Sequence, residues 1–568
     1  MQYDLVIRGG TVVDGSGGEP FHADVAILGG IIAAVGTVDG QGTEEIDASG
    51  LIVTPGFVDI HTHYDGQITW ENRLAPSSDH GVTTVVMGNC GVGFAPARQD
   101  HHELVIKLME GVEDIPEVVM EQGVPWTWET FPEYLDALEQ RHSDIDFAAQ
   151  LPHSPLRVYV MGERGAAMEP PTDADLAEMR RLTTEAIAAG ALGVSTSRNL
   201  HHRFRDGRPA PSVNTEEQEL LALADGLRDA GAGVFQLNPN NDGQAVDELA
   251  LVERITRRSG RPTSFSLIAI PEQEVQWDAY VEGLVKALAD KLPIRAQYYP
   301  RPIGMMFGLS LSYHPFSLNP SYKAIADKPL AERVAILRDP TVRARIIAEE
   351  PEDRNTALIR IVKATGHLYP LGDPPTYNPP PETSFRERSK RTGAPERELI
   401  YDALLERDGE ALLYAIAMPA GVYIDRTMPL YDLDNAIIGL GDGGAHYGMI
   451  CDAAYPTFVL TQIVGEDISL HKVVAAMTRD PAEAVGLNDR GLLAPGYKAD
   501  LNIIDVARLK LHAPQIALDL PAGGRRLRQR SEGYAATIVS GEVTYRDGAP
   551  TGRLPGRLVR GAREIVAG

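Results

Sequence analysis

Residues 51–65, LIVTPGFVDIHTHYD, form a nearly continuous apolar run that ends in two histidines. The run predicts a buried strand, and alternate side chains at the end of a strand point to the same side. His61 and His63 are therefore expected to lie close enough to bind one ion. Imidazole nitrogen binds zinc at about 2.0–2.1 Å, so the pair would supply half of a tetrahedral site. Taken alone, the pair is equally compatible with two unrelated histidines.

A second buried strand is predicted in residues 82–96, VTTVVMGNCGVGFAP. Cys90 follows the apolar part of this segment, where its thiolate could reach the same ion. Asp59 and Asp65 flank the histidine pair. A thiol at the end of the strand after the histidines makes metal binding the favoured interpretation of both segments.

The middle of the chain alternates between strand and helix patterns, which predicts a (β/α)8 TIM-type barrel of the α/β class. Helical patterns at 173–189 and 215–231 begin with Asp or Thr and end in glycine, and two further patterns cover 245–259 and 273–291. In this fold the chemistry lies at the carboxyl ends of the strands. The candidate strands are 51–60, 82–90, 145–152, 190–197, 232–238, 262–269, 293–299 and 436–442.

The interval 300–435, between the seventh and eighth strands, is too long for a simple loop. Its helical patterns and its Pro-rich segment LGDPPTYNPPPETSF predict a helical lid inserted over the barrel mouth. An inert, solvated insertion is the alternative. The barrel with this lid is expected to occupy residues 55–489.

Both ends of the chain, residues 1–54 and 490–568, contain short strand patterns separated by glycine turns. We expect them to form one small β-sandwich. Two independent terminal pieces are the alternative, although each would be short for a stable core.

The eighth strand, AIIGLGDGGAHYG at 436–448, places Asp442 among glycines. A carboxylate there could bind a metal ion and accept a proton from water. Aspartate in a glycine-rich turn can also serve the turn alone. Its place at the end of the eighth strand, beside the first, makes Asp442 a candidate for both metal binding and catalysis.

Composition limits the classes of partner. The 568-residue chain is 43% hydrophobic, contains no apolar window of membrane-spanning length, and carries a formal net charge of −26. This charge argues against nucleic acid and anionic membranes as partners, which leaves a small-molecule substrate. Two cysteines and an N-terminus without signal-peptide features predict a cytoplasmic protein. A homo-oligomer is left open.

GFVDIHTH at 56–63, the late Gly-Asp-Gly and APGYKADLNIID at 494–505 resemble the amidohydrolase superfamily. GNCGVGFAP at 88–96, LPHSPLRVYVMG at 151–162 and EAIAAGALGVSTS at 185–197 are similar to its N-acyl-D-amino-acid deacylase (D-aminoacylase) branch. The resemblance implies a metal-dependent hydrolase of amide bonds. It also implies that Cys90 replaces the carboxylated lysine that usually bridges two metals.

The chain departs from this family at strands five and six, where the family places metal-binding histidines. Alignment of the motifs puts these positions near Leu237 and Leu267, and leucine cannot bind zinc. The expected ligand set is therefore His61, His63, Cys90 and Asp442 around one Zn²⁺ ion.

The predicted reaction is attack of metal-activated water on the amide carbonyl, with Asp442 as the catalytic proton acceptor. Arg198, Arg203 or Arg301 could bind a substrate carboxylate through the planar guanidinium group. His201 and His202 could contact the substrate or replace a ligand, although surface histidines are the simpler interpretation. His153 and His446 are expected near the mouth as hydrogen-bonding groups, with His446 also a candidate for substrate binding.

Two alternatives remain at this stage. The barrel could hydrolyse another linear or cyclic amide or imide, a lactam or an N-formyl compound. Alternatively, loss of two metal ligands could have left a non-catalytic binding protein.

Overall fold

The computed structural model describes residues 2–268 and 274–565. The last residue of the strand predicted at 262–269, the first residue of the helix predicted at 273–291 and the end of segment 490–568 lie outside the described residues. None of the helices in the described part of the chain combines the length and apolarity that a membrane span requires.

A parallel β-barrel forms the centre of the molecule. Its consecutive strands pair in parallel, and a bridge between Thr62 and Gly443 links the first strand to the segment after the eighth. The predicted (β/α)8 barrel is therefore confirmed. Among the described residues its eight strands are Phe57–Asp59, Val82–Met87, Asp146–Ala149 continuing as Leu151–Pro152, Gly193–Ser197, Val234–Asn238, Thr263–Leu267, Ile294–Tyr298 and Ala436–Ile438.

Helices follow the barrel strands and cover the outside of the barrel. The helix Asp173–Ala188 begins with a capping box in which Thr172 and Asp175 satisfy each other's backbone N–H groups. Gly231 ends the helix Glu217–Ala230 in the left-handed conformation that glycine favours. The others are Gln67–Trp70, His102–Glu113, Glu117–Gly123, Phe131–Glu139, His153–Met161, Glu163–Ala166, Ala245–Ser259, Glu274–Ala289, Ala420–Thr427, Tyr455–Phe458, Leu470–Met477 and Arg479–Ala484.

A separate sheet combines strands from both ends of the chain. Ile52–Pro55 joins them, because it pairs in parallel with Gln2–Val12 and antiparallel with Leu501–Ile504. Buried Ile7, Val53 and other apolar side chains from both ends share one cluster. In the described residues this sheet has nine strands: Gln2–Val12, Phe21–Leu28, Ile31–Gly36, Gln41–Asp47, Ile52–Pro55, Leu501–Ile504, Tyr534–Val539, Glu542–Arg546 and Ala549–Pro550.

The predicted single strand 51–60 is in fact two strands in different sheets. Ile52–Pro55 belongs to the terminal sheet, and Phe57–Asp59 begins the barrel. Gly56 lies at the crossing, where a Cβ atom would stand 2.1 Å from Thr83 Oγ1. The continuous apolar pattern hides this change because both strands are buried.

The insertion between the seventh and eighth strands has its own apolar core, which includes Phe316 and Phe385. A helical insertion was predicted, and the structure contains an antiparallel sheet besides the helices. The strands of this sheet are Gly304–Phe307, Leu368–Pro370 and Leu413–Ile416. These strands are three or four residues long, too short for a period-two pattern to stand out. Its helices are Pro320–Lys323, Leu330–Leu337, Pro340–Ala348, Thr356–Lys363, Phe385–Thr392 and Glu396–Leu404.

Candidate metal centre

Closure of the barrel brings the predicted ligands together. His61 and His63 follow the first strand, and the backbone N–H of His63 donates to Gly443 O at 2.8 Å. The N–H of Asp442 donates in turn to His61 O at 3.0 Å. These bonds hold the turn after the eighth strand against the histidine pair. Residues almost four hundred positions apart in sequence are thereby fixed side by side.

Cys90 is positioned by the turn after the second strand. Its backbone lies in the left-handed region, with φ of 54°. The side-chain amide of Asn89 stabilises this turn by donating to Thr62 O at 3.2 Å and to Val86 O at 2.9 Å. Leu440, Asp442 and His446 share the left-handed conformation. Such backbone strain is typical of functional sites, where the surrounding structure holds it in place.

The four predicted ligands converge. His61 Nε2 lies 3.3 Å from Cys90 Sγ and 3.5 Å from Asp442 Oδ1. His63 Nε2 lies 3.6 Å from the same carboxylate oxygen. The ligand atoms of His61, His63 and Cys90 all lie within 4.8 Å of one another, an arrangement that could hold a metal ion.

The chemistry of these side chains fits a divalent cation. His63 is 1% exposed, yet neither of its ring nitrogens has a hydrogen-bond partner. Burial raises the pKa of the Cys90 thiol to about 11, because a site removed from water disfavours the charged thiolate. A bound cation would satisfy the imidazole and stabilise the thiolate together. The three buried side chains are therefore suited to a metal ion.

The neighbouring carboxyl and imidazole groups respond differently to burial. Burial lowers the pKa of His61 to about 4, which keeps this imidazole neutral. Burial also acts to raise the pKa of Asp442, but the imidazole of His63, whose Nε2 lies 3.6 Å from Asp442 Oδ1, outweighs it together with the other nearby imidazoles and holds that pKa well below its usual range. A neutral imidazole and an ionised carboxylate are the forms that bind zinc.

Partners behind the histidines orient them towards the centre. His61 Nδ1 lies 2.9 Å from Gln297 Oε1, so it donates to this amide oxygen and leaves Nε2 free to bind a cation. His63 Nδ1 lies 3.5 Å from Glu113 Oε1. Glu113, which ends the helix His102–Glu113, is not among the residues that the sequence indicated. A carboxylate in line with buried Met109 and Val105 on this helix is the signal that could have revealed it.

The fifth and sixth strands lead to an amide and an apolar side chain on the cavity. Asn238 and Ile268 line the cavity, with Asn238 Nδ2 3.7 Å from Cys90 Sγ. Leu237 and Leu267, which the sequence placed at the ligand positions, are buried in the core instead. Asn238 and Ile268, the next residue in each case, line the cavity because neighbouring residues of an extended chain face opposite sides.

Arg198 and Arg301, which were predicted to bind a substrate carboxylate, each pair with a carboxylate of the protein itself. Arg198 Nε donates to both carboxylate oxygens of Glu248, at 3.2 and 3.1 Å. Arg301 is fully buried against the ring of Tyr377, and its Nη2 lies 2.6 Å from Asp452 Oδ1. Neither guanidinium group lines the cavity that contains the candidate ligands, as far as the described residues define it.

The predicted histidines divide into two groups. His202 and His446 line the cavity, and burial lowers the pKa of His202 to about 3. His201 is exposed, and its Nε2 atom lies 3.8 Å from Asp242 Oδ2. His153 is buried, with Nδ1 2.8 Å from Thr196 Oγ1 and Nε2 2.7 Å from Glu219 Oε1.

The cavity has a volume of about 190 Å³ and contains both the candidate ligands and groups that the sequence did not indicate. Besides Glu113, these include Asn199, Tyr299 and Asp452. Its lining comes from residues at and beyond the carboxyl ends of the barrel strands, where this fold places its active sites.

The model of the amidohydrolase family matches residues 44–545 of this chain. The chain belongs to this family. An N-acyl-D-glutamate deacylase of Alcaligenes xylosoxydans xylosoxydans is 27% identical over 98% of this chain and 96% of its own length. A D-aminoacylase from the same organism is 33% identical over 46% of this chain and 48% of its own length.

Solved structures of other amidohydrolases share the fold. The N-acyl-D-glutamate deacylase of Bordetella bronchiseptica superimposes with a TM-score of 0.66 at 23% identity, covering 99% of this chain and 100% of the other. That structure contains zinc and a phosphonate inhibitor that mimics the tetrahedral intermediate. A D-aminoacylase with a binuclear metal centre superimposes with a TM-score of 0.65 at 23% identity, over 99% of this chain and 100% of the other.

Proposed function

We propose that this protein hydrolyses amide bonds with the help of one Zn²⁺ ion bound by His61, His63, Cys90 and Asp442. The convergence of these side chains, with both ring nitrogens of buried His63 left without a partner, is the observation that carries the proposal. A zinc ion held in this way acts as a Lewis acid towards water and the amide carbonyl. We propose one ion because Asn238 and Ile268 are poor ligands for a second.

The preferred substrate class in this proposal is an N-acyl-D-amino acid. The full-length similarity to an N-acyl-D-glutamate deacylase supports it. Asp442, which the sequence indicated, is the cavity side chain proposed to accept the proton of the attacking water. A cytoplasmic location is part of the proposal, because both cysteines are free.

A neutral amide is the second candidate substrate. Those described residues that line the cavity include no lysine or arginine, so a substrate carboxylate would find no cationic side chain there. A cyclic amide or an N-acyl amine would not require one. The distinction concerns the substrate and leaves the metal centre unchanged.

The test is hydrolysis by protein purified without chelator and supplied with zinc. The substrates are N-acetyl-D-amino acids, their L-enantiomers, N-acyl amines and hydantoins. We expect cleavage of an amide in at least one class, loss of activity after chelation and recovery with zinc. Absence of bound transition metal, together with no hydrolysis on adding zinc, would instead indicate a non-catalytic binding protein.

A further inference from the structure

A second cavity lies between the insertion and the hairpin of strands Gln515–Ala517 and Arg526–Arg528. Its volume is about 1050 Å³. The insertion contributes the amino end of the helix Leu330–Leu337 and residues next to the strands Leu368–Pro370 and Leu413–Ile416. None of the described residues that line this cavity also lines the cavity of the candidate metal centre. The proposed hydrolysis therefore does not account for it.

Arg333 lies in the wall of this cavity and is only 7% exposed. Its Nη1 atom donates to Leu309 O at 2.5 Å and to Tyr322 Oη at 2.8 Å. Among the described residues its buried Nε atom has no hydrogen-bond partner, and no carboxylate forms an ion pair with the guanidinium group. Arginine keeps its charge at physiological pH, and a buried charge without a counterion is costly. The wall therefore presents an unpaired cation to an anionic ligand.

The helix that carries Arg333 begins at the same cavity. Pro329 and Leu330 line the cavity, and no side chain caps the helix Leu330–Leu337 at its amino end. The first N–H groups of a helix have no acceptor within it, and the helix dipole favours negative charge there. Arg525 adds a second guanidinium group to the wall. Removal from water and the charge of Arg333 both lower the pKa of Arg525, so the two cations are close enough to act on each other.

The rest of the wall limits the kind of anion. Ile516 and Leu518 line the cavity although they are 38% and 73% exposed, and an apolar chain lying on them would remove apolar surface from water. The net charge of −26 disfavours a dianion such as phosphate more than a monoanion. Exposed charges of both signs also line the cavity, where solvent screens them: Asp327, Lys328, Asp373, Glu406, Arg407 and Glu410.

We propose that this cavity binds an organic carboxylate that carries an apolar chain. The carboxylate contacts Arg333, Arg525 and the N–H groups at the amino end of the helix Leu330–Leu337, since the planar fork of arginine matches a carboxylate. The chain lies against Ile516 and Leu518. This site goes beyond the proposed hydrolysis, because it requires no zinc and shares no described residue with the metal centre.

The first test is isothermal titration calorimetry of the zinc-loaded, full-length protein with octanoate. Inorganic phosphate and 1-octanol are the comparison ligands. We expect octanoate to bind more tightly than either, because only octanoate combines a single negative charge with an apolar chain. Octanoate that does not bind, or that binds no more tightly than phosphate or 1-octanol, would overturn the proposal.

The second test locates octanoate with variants of the two arginines. We expect R333M to lower octanoate affinity by roughly 10–100-fold, as loss of a hydrogen bond to a charged group does, and R525M by roughly two- to fivefold. Octanoate bound to zinc would not respond to either change. R360M is the matched control, because Arg360 is an exposed arginine on the helix Thr356–Lys363 of the same insertion and is not among the described residues lining the cavity.

Arg333 is buried, so circular dichroism and denaturant unfolding establish first whether R333M folds. If it does not fold, R525M decides alone, because Arg525 is exposed. Wild-type octanoate affinity in R525M, or in a folded R333M, would contradict the proposal. Equal losses in R360M would show an effect of net charge and would contradict it as well.

The third test concerns the apolar part of the wall. We expect L518N to lower octanoate affinity by roughly 3–10-fold, because less apolar surface is buried, and to leave butyrate affinity unchanged. V246N is the matched control, since Val246 is 68% exposed on the helix Ala245–Ser259 and is not among the described residues lining the cavity. Wild-type octanoate affinity in L518N would refute the contact with the chain. None of these measurements requires hydrolysis, so failure here leaves the proposed function standing, and protein that cleaves no amide still permits all three tests.

Discussion

The two sides of the barrel mouth differ in the chemistry that they offer a cation. The first, second and eighth strands end in His61, His63, Cys90 and Asp442, which meet in one cavity. The fifth and sixth strands lead to Asn238 and Ile268 on the same cavity. Both sets lie at or just beyond the carboxyl ends of barrel strands, so the difference is one of residue type. A fold of this kind specifies where a reaction can take place, and the side chains at the strand ends determine how many metal ions can bind there.

Removing a ligand from the histidine-rich side should have the largest effect. We expect C90S to lose zinc and to lose activity by more than the roughly 10–100-fold that follows loss of an outer partner of a metal ligand. C451S is the matched control, because Cys451 is also free and buried but is not among the described residues lining the cavity. Metal analysis and hydrolysis rates check both variants. If C90S kept full zinc content, the ligand set would be wrong.

Replacing Arg301 shows whether this side chain stabilises the fold or binds the substrate. Removing one partner of a buried ion pair costs about 3–5 kcal/mol, since the other charge is left buried. We expect R301M to lower the free energy of unfolding by about this amount through the loss of its contact with Asp452. Denaturant unfolding checks the value, and R301M/D452L should recover part of the loss. A stable R301M with a raised KM would restore Arg301 as a substrate-binding residue.

The orientation of His61 should have an intermediate effect. Q297L removes the amide oxygen 2.9 Å from His61 Nδ1, and we expect zinc affinity to fall by roughly 10–100-fold. Competition with a chelator of known affinity measures the change. Q236L on the fifth strand is the matched control, because Gln236 is equally buried and bonds Ser266 instead of a predicted ligand. Equal losses in both variants would show a general packing effect.

Adding ligands to the histidine-poor side should change the metal count by one. We expect N238H/I268H to bind two zinc ions per chain where the wild type binds one, because both positions line the cavity and Asn238 Nδ2 lies 3.7 Å from Cys90 Sγ. Metal analysis after equilibrium dialysis counts the ions. The single variants N238H and I268H should each remain at one. A double variant that stays at one ion would mean that residue type alone does not explain the difference between the two sides.

The sequence predicted the barrel and the ligand set because these depend on local patterns. Alternation in GFVDIHTH places His61 and His63 on one side of a strand end, and barrel topology then aligns them with Cys90 and Asp442. The resemblance pointed to the neighbourhood of Leu237, and it is the adjacent Asn238 that lines the cavity, since neighbouring side chains of a strand face opposite ways. Glu113 was missed because its position depends on how one helix packs above the barrel. The sequence pattern of the helix alone does not predict that contact.

Anomalous diffraction from crystals grown with zinc is the sharpest test for a single zinc ion at the four side chains, because it locates and counts the ions in one measurement. We predict one strong peak per chain, within bonding distance of His61, His63, Cys90 and Asp442, at about 2.0–2.3 Å for nitrogen, oxygen and sulfur ligands. A map without a peak in the cavity, or with its main peak beside Asn238 and Ile268 away from the two histidines, would contradict the account.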